Sequence, residues 1–531
     1  MKNLYHTTRG LDTHAVETYG LTEDIMMENA AIALEKEIVT YVSKNKEDIV
    51  SKKIGVLIVC GGGNNGADGY VLARHLVGHK KIDVYIWQAK EPKSPMCKLQ
   101  ATRTQACFEQ ENLYQSHYLD TEMLPCSHRE ILVDCFIGSG FKGALKNDAA
   151  AIIKTINSLH TSHVFSCDVP SGLPADFSFA NTVVCANKTI TMGAYKTALF
   201  SECAKKHAGK ITCANLGISK KLFESVLSEK QNASTDSPHL AIRYEAKLLE
   251  KKDLILPHRK NPNAHKGTFG HAAIFAGEKS GAAIIAARSA ISFGAGLVTV
   301  VGNYIPNCPC DIMQSKTVPT KAVICAGPGL GKDKSILTKT VTWLLKHPTT
   351  HCVLDADICY HTHLASLLET RSKNELEKKT IITPHPKEFA SILKLSNLVH
   401  EQDCTVEYIK NNSLELVKKF CRTYPGIVLL LKGSTQIIGY CAHRQTAASV
   451  YLNPWGNVCL AKGGSGDVLS GLITALVAQN YSALDAAIQA SLALTLASKY
   501  GLKSGAIQSD YSMSPFDILT AIKELPQSIQ K

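Results

Sequence analysis

Short apolar segments alternate with segments of helical length along most of the chain. In the first part they read KIGVLIVC, KIDVYIW, EILVDCFIG and HVFSCDV, and in the second part AAIFAG, LVTVVG, AVICAG, CVLDAD, TIITPH and IVLLLKG. Strands that are apolar at nearly every position are buried on both faces, and helix-length connections between them favour parallel pairing. The pattern therefore predicts an α/β protein whose parallel sheets are each covered by helices on both sides, in three layers.

A polar stretch near the middle interrupts this pattern. Residues 228–238, SEKQNASTDSP, show no apolar periodicity and end in proline, which is typical of a linker. We therefore predict a first domain over residues 1–227, a linker over residues 228–244 and a second domain over residues 245–531. The length of 531 residues also favours two or more domains, and no internal repeat indicates that they are alike.

Composition excludes several classes of protein. The chain is 45% hydrophobic and 20% charged, and its net charge of +12 comes from scattered basic residues rather than a nucleic-acid motif. This charge favours either a mildly basic surface or the attraction of an anionic ligand. No run of about 18 apolar residues suggests a membrane span, and the N-terminus lacks a signal-peptide core. The 18 cysteines include no C-x-x-C pair; we expect free thiols and a cytoplasmic protein.

The loop after the first apolar segment, GGGNNGADG, contains the spacing G-x-G-x-x-G over residues 61–66. A dinucleotide-binding turn has this spacing, with an Asp or Glu at the end of the next strand that binds the ribose. Here that strand ends at Gln88, which argues against an ordinary NAD-dependent dehydrogenase. A tight strand-to-helix turn would explain the glycines, but it would not explain the polar side chains of Asn64, Asn65 and Asp68.

Further polar residues are expected where other strands of the same sheet end. Asp134 precedes the glycine-rich turn 138–140, whose N–H groups suit a phosphate, and CDVPSG supplies Asp168 and Ser171. Each residue alone could be a cap or a turn residue. Together, Asn65, Asp134 and Ser171 are expected to converge at one sheet edge, and their oxygens suit a hard cation. Asp168 is then the candidate acid or base.

Six stretches of this half resemble the NAD(P)H-hydrate epimerase family. They are MENAA, CGGGNNGADG, VDCFIGSG, CDVPSG, TITMGAYKTAL and GKITCANLGI, and they follow one another over roughly residues 10–220. The resemblance implies a Rossmann-like sheet and a K⁺-dependent enzyme that interconverts the R and S forms of hydrated NADH and NADPH. It implies K⁺ ligands at Asn65, Asp134 and Ser171 and a catalytic role for Asp168.

The same resemblance implies a larger set of residues that bind the hydrated dinucleotide. They are Asn64, Asn65, Gly66, Ala67, Asp68, Gly138, Ser139, Gly140, Phe141, Lys142, Gly143, Ala144 and Asp168. Ala67 departs from the family pattern, which usually has a glycine at this position. A methyl group is tolerated there if the backbone keeps a negative φ, whereas a left-handed residue would put the activity in doubt.

The strongest single motif is LAKGGSGDVLSGLITALVAQ, residues 460–479. Apolar residues recur at helical spacing after Asp467, which predicts a buried helix with GGSG at its amino end. The free N–H groups and the dipole at that end form an anion site. Asp467 could be a plain helix cap, but beside an anion site it is better placed to take a proton from a hydroxyl that attacks phosphorus.

This motif resembles the ribokinase-like fold, and no P-loop sequence is present. HKGTFGHAAIFAG, GAAIIAARSAISFGAGLVTV, CAGPGLG, LDAD, TPHPKEFA and LKGSTQII resemble, in order, the nucleotide-dependent NAD(P)H-hydrate dehydratase family over roughly residues 245–525. His385 alone could be a core histidine, and Lys432 alone could be a solvated charge at a strand end. Within these motifs we interpret His385 as a substrate contact and Lys432 as a nucleotide contact.

The second resemblance implies phosphorylation of the hydrate hydroxyl and then elimination of phosphate, which restores NAD(P)H. It implies Mg²⁺ and ADP, which bacterial members use where eukaryotic members use ATP, and the products AMP and phosphate. The implied hydrate contacts are Ala282, Gly329, His385 and the catalytic Asp467, and the implied nucleotide contacts are Lys432, Gly433, Ser434, Thr435, Gln436 and Gly466. Gln436 departs from the family, which more often has Thr there.

Together the two resemblances predict a homo-oligomeric enzyme that repairs hydrated NADH and NADPH (NADHX and NADPHX) and has no nucleic-acid or membrane partner. One alternative is a ribokinase-like kinase of a hydroxymethylpyrimidine or hydroxyethylthiazole with a fused binding domain. It accounts for GGSGD but not for NNGADG. The other alternative is a non-catalytic nucleotide-binding scaffold, which has no need of Asp467.

Overall fold

The computed structural model of the chain describes residues 1–45, 53–119, 130–140, 145–225, 244–331, 333–372 and 379–529. The chain forms two compact units, an N-terminal unit of Asn3–Glu245 and a C-terminal unit of Ala246–Lys531 with Met1–Lys2. Residues 228–243 of the predicted linker lie outside the described ranges. Within those ranges, no helix has the combination of length and apolar character that crossing a membrane requires.

The N-terminal unit is built on a seven-stranded sheet of order β4-β3-β2-β5-β6-β7-β9, in which every pairing is parallel. β1 and β8, which are not part of this seven-stranded sheet, also pair in parallel. The strands are β1 Lys2–Tyr5, β2 Ile54–Cys60, β3 Ile82–Gln88, β4 Tyr118–Leu119, β5 Ile131–Cys135, β6 His163–Cys167, β7 Lys188–Met192, β8 Tyr195–Lys196 and β9 Lys210–Ala214. The helices are α1 Arg9–Tyr19, α2 Glu23–Asn45, α3 Asn64–Leu76, α4 Pro95–Gln110, α5 Tyr114–His117, α6 Asn147–Ser158, α7 Ala204–His207 and α8 Lys220–Phe223.

Strand β2 shows why its sequence is apolar at nearly every position. All seven of its residues are buried. Val56 and Ile58 join the core on one face of the sheet. Leu57 and Val59 join a separate core on the opposite face, with Ile153 of α6. Both faces of the sheet are therefore covered by helices, and the predicted α/β class with parallel sheets is confirmed.

The C-terminal unit has the strand order β13-β12-β11-β14-β15-β16-β17-β18-β19-β10. Its strands are β10 Ala246–Leu248, β11 His271–Phe275, β12 Leu297–Val301, β13 Met313–Ser315, β14 Val323–Ala326, β15 Cys352–Leu354, β16 Thr380–Ile382, β17 Ile427–Leu431, β18 Gln436–Tyr440 and β19 Ser449–Asn453. Its helices are α9 Ser280–Ser292, α10 Lys334–Lys346, α11 Leu364–Ser372, α12 Pro386–Leu395, α13 Val406–Thr423, α14 Ser465–Ala478, α15 Ala483–Ser504 and α16 Pro515–Ile529.

This second sheet is parallel only from β13 through β17 and in the final β19–β10 pair. Strand β18 pairs antiparallel with both β17 and β19. Only residues 432–435 separate β17 from β18. That loop is too short for the crossover that a parallel neighbour needs, so the chain turns back as a hairpin. The sequence pattern alone had predicted parallel pairing throughout.

Helix α14 is the central helix of the C-terminal unit. Every residue from Val468 to Ala478 is buried. A helix that is apolar all round belongs in the interior of a large domain, and α14 shares one core with residues of α9, α15 and α16. The sequence predicted one wide apolar face, and the structure shows burial on all sides. Its amino end, which carries Asp467, is therefore fixed by packing.

The glycines of the loop after β2 have different roles. A Cβ built on Gly61 would lie 1.9 Å from the carbonyl oxygen of Phe136, and a Cβ built on Gly66 would lie 1.8 Å from the carbonyl oxygen of Gly61. A Cβ on Gly63 would have no neighbour within 4 Å. Gly61 and Gly66 are therefore required by the close approach of two backbone segments, whereas Gly63 is not.

We expect Gly66→Ala to lower the free energy of unfolding of the N-terminal unit by more than ~2 kcal/mol, because the backbone oxygen of Gly61 cannot move out of the way without displacing β2. Gly63→Ala is the matched control. It only changes the residue that caps α3, and we expect it to cost less than ~1 kcal/mol. Amide hydrogen exchange of peptides from β2 and α3 measures both effects; equal losses in the two variants would contradict this account of the loop.

Candidate functional site

The predicted residues of the N-terminal unit lie where β2, β5 and β6 end. Residues 64–68 form the first turn of α3, directly after β2 and its loop. Asp134 is the last residue but one of β5, and Asp168 and Ser171 follow β6. Because β2, β5 and β6 are parallel neighbours, their carboxyl ends bring these residues to one edge of the sheet.

Asp134 and Ser171 are in direct contact. Asp134 is fully buried, and its carboxylate accepts hydrogen bonds from Ser171 Oγ at 2.5 Å, Ser171 N at 2.9 Å, Ser166 Oγ at 2.9 Å and Phe136 N at 3.2 Å. Burial raises the pKa of Asp134, although the hydrogen bonds from Ser171 and Ser166 oppose that shift. Two of the three predicted cation ligands are therefore held together at the end of β5.

Asn65, the third predicted cation ligand, has a side chain without a partner among the residues that the structure describes. Its Oδ1 and Nδ2 atoms are both buried, and neither forms a hydrogen bond within the described residues. The amide lies against Gly138, where an added Cβ would stand 3.3 Å from Asn65 Oδ1. A buried polar group without a partner is costly. Its oxygen therefore suits a ligand, and the residues fit a bound cation.

Asp168 has an unusual backbone and a saturated carboxylate. Its φ is +67°, a left-handed conformation that costs a non-glycine residue about 1–3 kcal/mol and is common at functional sites. Oδ2 accepts from Ser139 Oγ at 2.5 Å and from Ser139 N at 3.1 Å, while Oδ1 pairs with the ammonium of Lys196. Burial alone would raise the pKa of Asp168, but Lys196 and Ser139 outweigh burial and hold that pKa below its ordinary value.

Lys196, which follows from the structure but was not predicted as a site residue, is the counter-ion of Asp168. Its side chain is 1% exposed, and its ammonium also donates to the carbonyl oxygen of Met192 at 2.7 Å. A lysine inside the apolar stretch GAYKTALF was the available signal, because a buried lysine requires a partner of opposite charge. Nothing in the sequence indicates which carboxylate that partner is.

Two further carboxyl groups lie close enough to interact with this pair. Burial and the negative charge of Asp168 raise the pKa of Asp12 to about 6, and Lys196 opposes this shift. Burial also raises the pKa of Asp68 well above its ordinary range, and Cys167 Sγ donates to Asp68 Oδ2 at 3.7 Å. The site therefore combines a carboxylate of lowered pKa with carboxyl groups that take up a proton more readily than an ordinary aspartate, as acid–base chemistry requires.

The predicted phosphate turn is described only in part. Phe141, Lys142, Gly143 and Ala144 lie outside the described residues. The N–H of Ser139, expected to face a phosphate, donates to Asp168 instead. Ala67 lies within α3 and is not among the residues with positive φ, so the methyl group that departs from the family pattern meets no backbone strain.

In the C-terminal unit, Asp467 lies in the first turn of α14, as the sequence predicts. The capping residue of α14 is Gly464, with φ +95°, so Asp467 is not the cap. Burial raises the pKa of Asp467 to about 7, and the charge of Asp355 adds to this shift while Lys432 opposes it. A carboxylate with a pKa near neutrality is suited to act as a general base.

Lys432 reaches the same turn from the end of β17. A Cβ built on Gly466 would lie 3.3 Å from Lys432 Nζ, so the ammonium lies beside the predicted anion site. Nζ donates to Asp355 Oδ1 at 2.6 Å and lies 3.9 Å from Glu388 Oε2. Burial alone would lower the pKa of Lys432, but the charges of Asp355 and Glu388 raise it above its ordinary value. The lysine is therefore a fixed positive charge.

His385 is the N-cap of α12 and keeps part of its ring exposed. Its Nδ1 accepts from the N–H groups of Lys387 and Glu388, each at 3.1 Å, and its Nε2 lies 3.1 Å from Glu388 Oε1. Because Nδ1 accepts, the ring proton is placed on Nε2, where it donates to Glu388. Burial and the charge of Lys432 lower the pKa of His385, and burial raises the pKa of Glu388 to about 7. His385 is thus a neutral donor close to Lys432.

The other predicted contacts of the dehydratase site differ in how far they are buried. Gly329, with φ +63°, lies against Ala282 of α9. A Cβ built on Gly464 would stand 3.5 Å from Ile285, which lies one turn further along the same helix. Gly433, Ser434 and Thr435 form the loop between β17 and β18; Thr435 Oγ1 is buried without a partner in the described chain. The Oε1 atom of Gln436 accepts from Ser491 Oγ at 2.6 Å in the core.

Each half of the chain matches a known protein family. The family model for the YjeF-related protein N-terminus matches residues 23–198, and that for NAD(P)H-hydrate dehydratase matches residues 272–523. The bifunctional NAD(P)H-hydrate repair enzyme of Helicobacter pylori is 37% identical over 99% of this chain and 100% of its own. That of Coxiella burnetii is 31% identical over 94% and 96%.

A solved structure of the ADP/ATP-dependent NAD(P)H-hydrate dehydratase of Bacillus subtilis, co-crystallised with ATP and Mg²⁺, is also similar. It is 22% identical, with a TM-score of 0.43, and covers 54% of this chain and 99% of its own.

We expect Lys196→Met to lower the free energy of unfolding of the N-terminal unit by roughly 3–5 kcal/mol at neutral pH, because it leaves the Asp168 carboxylate buried without its counter-ion. Since the pair lowers the pKa of Asp168, its stabilisation is present above the ordinary aspartate range and is lost as pH falls through the lowered pKa. In the variant, burial raises that pKa, so Asp168 takes up a proton in mild acid and the deficit shrinks.

Amide hydrogen exchange of β6 and β7 at neutral pH and in mild acid measures this difference. Lys90→Met is the matched control, because Lys90 pairs with an exposed Asp148 at 2.5 Å, and we expect it to change stability very little. A deficit in Lys196→Met that is the same at both pH values would contradict the assignment of Lys196 as the charge partner of Asp168.

Proposed function

The chain belongs to the family of bifunctional NAD(P)H-hydrate repair enzymes, and we propose that it catalyses both steps of that repair. The N-terminal unit interconverts R- and S-NAD(P)HX. The C-terminal unit dehydrates S-NAD(P)HX to NAD(P)H with ADP, giving AMP and phosphate. The observation that carries the dehydratase proposal is the position of Asp467, with its pKa raised to about 7, in the first turn of α14, where the preceding residue Gly466 lies beside the Lys432 ammonium.

For the epimerase step, the ring carbon that bears the hydroxyl group is bonded to the ring nitrogen. The nitrogen lone pair expels that hydroxyl as water once it is protonated, and water then adds to the other face of the ring. Asp68, whose pKa is raised by burial, supplies the proton to the leaving hydroxyl. Asp168, whose pKa is lowered beside Lys196, accepts the proton from the entering water.

We propose that Asn65, Asp134 and Ser171 hold the K⁺ ion of the epimerase unit. The support is the buried amide of Asn65, which has no partner among the described residues, next to the oxygen-rich cluster of Asp134 and Ser171. Oxygen ligands of this kind suit a hard monovalent cation. A bound K⁺ would supply a fixed positive charge that attracts the phosphates of the dinucleotide.

For the dehydratase step, Asp467 takes the proton from the hydrate hydroxyl as its oxygen attacks the terminal phosphorus of ADP. The ammonium of Lys432 and the backbone N–H groups of Gly463, Gly464 and Gly466 stabilise the phosphate charge. Phosphate then leaves from the ring carbon and the neighbouring carbon loses a proton, which restores the double bond. We propose that Mg²⁺ accompanies the nucleotide phosphates; the cytoplasmic location and the homo-oligomeric state remain predictions.

We expect wild-type protein incubated with mixed NADHX epimers and ADP to restore the absorbance of NADH. Asp467→Asn removes the base and is expected to lower this recovery by about 10²–10⁴-fold, whereas Asp168→Asn is expected to slow conversion of the R epimer only. An absence of recovery in the wild type, with phosphorylation of a hydroxymethylpyrimidine or hydroxyethylthiazole instead, would establish the kinase alternative. Undiminished R-epimer conversion by Asp168→Asn would show that the epimerase site is wrongly placed.

The rate of dehydration of the pure S epimer is expected to rise with pH up to about 7 and to level off above it. The base must be ionised, and burial raises the pKa of Asp467 to about 7; below that pH we expect the rate to fall about tenfold per pH unit. Glu388 titrates in the same range, so Glu388→Gln is the control. If the acid limb of the profile is lost in Glu388→Gln, the titrating group is Glu388 and not Asp467.

A further inference from the structure

Asp355 is a buried carboxylate at the centre of the dehydratase site; it lies in the LDAD motif, but the sequence predicts no role for it. It directly follows β15, its side chain is 2% exposed, and its N–H donates to the carbonyl oxygen of Ala326 on the neighbouring β14 at 3.0 Å. Its backbone is therefore part of the sheet edge from which the site residues project. The carboxylate has no access to bulk water and must be satisfied by its neighbours.

Each oxygen of Asp355 binds a different element of the site. Oδ1 accepts from Lys432 Nζ at 2.6 Å and from Ala356 N at 2.9 Å. Oδ2 accepts from Ser470 Oγ at 2.6 Å. One carboxylate thereby joins the ends of β15 and β17 to the second turn of α14. These contacts span 77 residues to Lys432 and 115 residues to Ser470.

The contact with Lys432 determines where its positive charge lies. A lysine ammonium stands on a flexible four-carbon chain and is a point charge without preferred direction. The contact with Asp355 places this ammonium beside Gly466, which belongs to the turn that the nucleotide phosphates are proposed to approach. A buried Lys–Asp pair adds little stability compared with apolar residues of similar size. Its presence here is better explained by a need for a fixed charge.

The contact with Ser470 determines how α14 presents Asp467. Residues three apart in a helix lie on the same face, so the side chains of Ser470 and Asp467 project in similar directions. A hydrogen bond of 2.6 Å from Ser470 to the sheet edge fixes the rotation of the first two turns of α14. The turn that carries Asp467 is thereby held in place beside Lys432, whose ammonium lies against Gly466.

We propose that Asp355 is the positioning residue of the dehydratase site: it holds the Lys432 ammonium beside the turn 463–466 and, through Ser470, orients the helical turn that carries Asp467. This role rests on the proposed dehydratase function. Asp355 acts on the reaction only through Lys432 and Asp467, and its own carboxylate remains buried behind them.

The charges around Asp467 determine what the loss of Asp355 does to its titration. The charges of Asp355 and Asp357 raise the pKa of Asp467, and that of Lys432 lowers it. The Cys325 thiol, on the strand beneath α14, also interacts with Asp467. Glu388 raises the pKa of Lys432. Removing the negative charge of Asp355 therefore lowers the pKa of Asp467. The base then stays ionised to lower pH, and the acid limb of the rate profile moves downward.

The test compares three variants of the full chain with the wild type, using pure S-NADHX and ADP over the whole range in which Asp467 titrates. For Asp355→Asn we expect kcat to fall by about 10²-fold and the acid limb of the rate profile to shift downward by roughly one pH unit. We expect no rise in the KM for ADP, because the charge of Lys432 is no longer paired with Asp355. For Ser470→Ala we expect kcat to fall about tenfold with the limb in place. Asp485→Asn, an exposed aspartate in the first turn of α15, should match the wild type.

Binding of a fluorescent ADP analogue gives a second readout that does not need turnover. We expect the ADP analogue to bind more weakly as Asp467 ionises. The pH midpoint of that change should move downward in Asp355→Asn by the same amount as the acid limb of the rate profile. If the wild type restores no NADH, the dehydratase proposal fails, and this midpoint still decides the role of Asp355. A wild-type midpoint and acid limb in folded Asp355→Asn would overturn the inference. If that variant does not fold, full activity of Ser470→Ala would overturn it.

Discussion

Parallel strands place all their carboxyl ends at one edge of a sheet, and both sites of this chain depend on that constraint. In the N-terminal unit, the ends of β2, β5 and β6 bring together residues that are separated by dozens of positions in sequence. In the C-terminal unit, Asp355 follows β15 and Lys432 follows β17, with β16 between them. The loops at this edge are free to carry polar residues, because the apolar strands and helices behind them already account for the fold.

A second feature is common to both sites: a lysine paired with a buried aspartate. Lys196 pairs with Asp168, and Lys432 pairs with Asp355. The described residues contain no salt-bridge partner for two neighbouring carboxyl groups, Asp68 and Asp467, and burial raises the pKa values of both. In the N-terminal unit the pKa of Asp168 is lowered while that of Asp68 is raised. In the C-terminal unit the pKa of Lys432 is raised, and that of Asp467 is raised to about 7. Each site therefore separates a fixed charge from a group that exchanges protons.

The sequence predicted what depends on local pattern and missed what depends on long-range pairing. GGSGD followed by helical spacing correctly predicted Asp467 in the first turn of a buried helix. The expectation that polar residues meet where parallel strands end agrees with the contact between Asp134 and Ser171. Lys196, Asp12 and Asp355 were not predicted, because their importance lies in partners elsewhere in the chain. Nor could apolar content alone distinguish the antiparallel β18 from a parallel neighbour; the four-residue length of the loop before it was the informative observation.

The glycine spacing in the loop after β2 illustrates how such patterns should be interpreted. Gly61 and Gly66 are required because a side chain on either would collide with a backbone oxygen, and this requirement belongs to any tight turn from a strand into a helix. The glycine spacing therefore indicates tight backbone packing and does not indicate which ligand the loop binds. The chemistry lies at positions that packing leaves free: the unpartnered amide of Asn65 and the buried carboxyl group of Asp68. A loop with the glycines of a dinucleotide-binding turn can thus serve a site in which the dinucleotide is the substrate to be repaired.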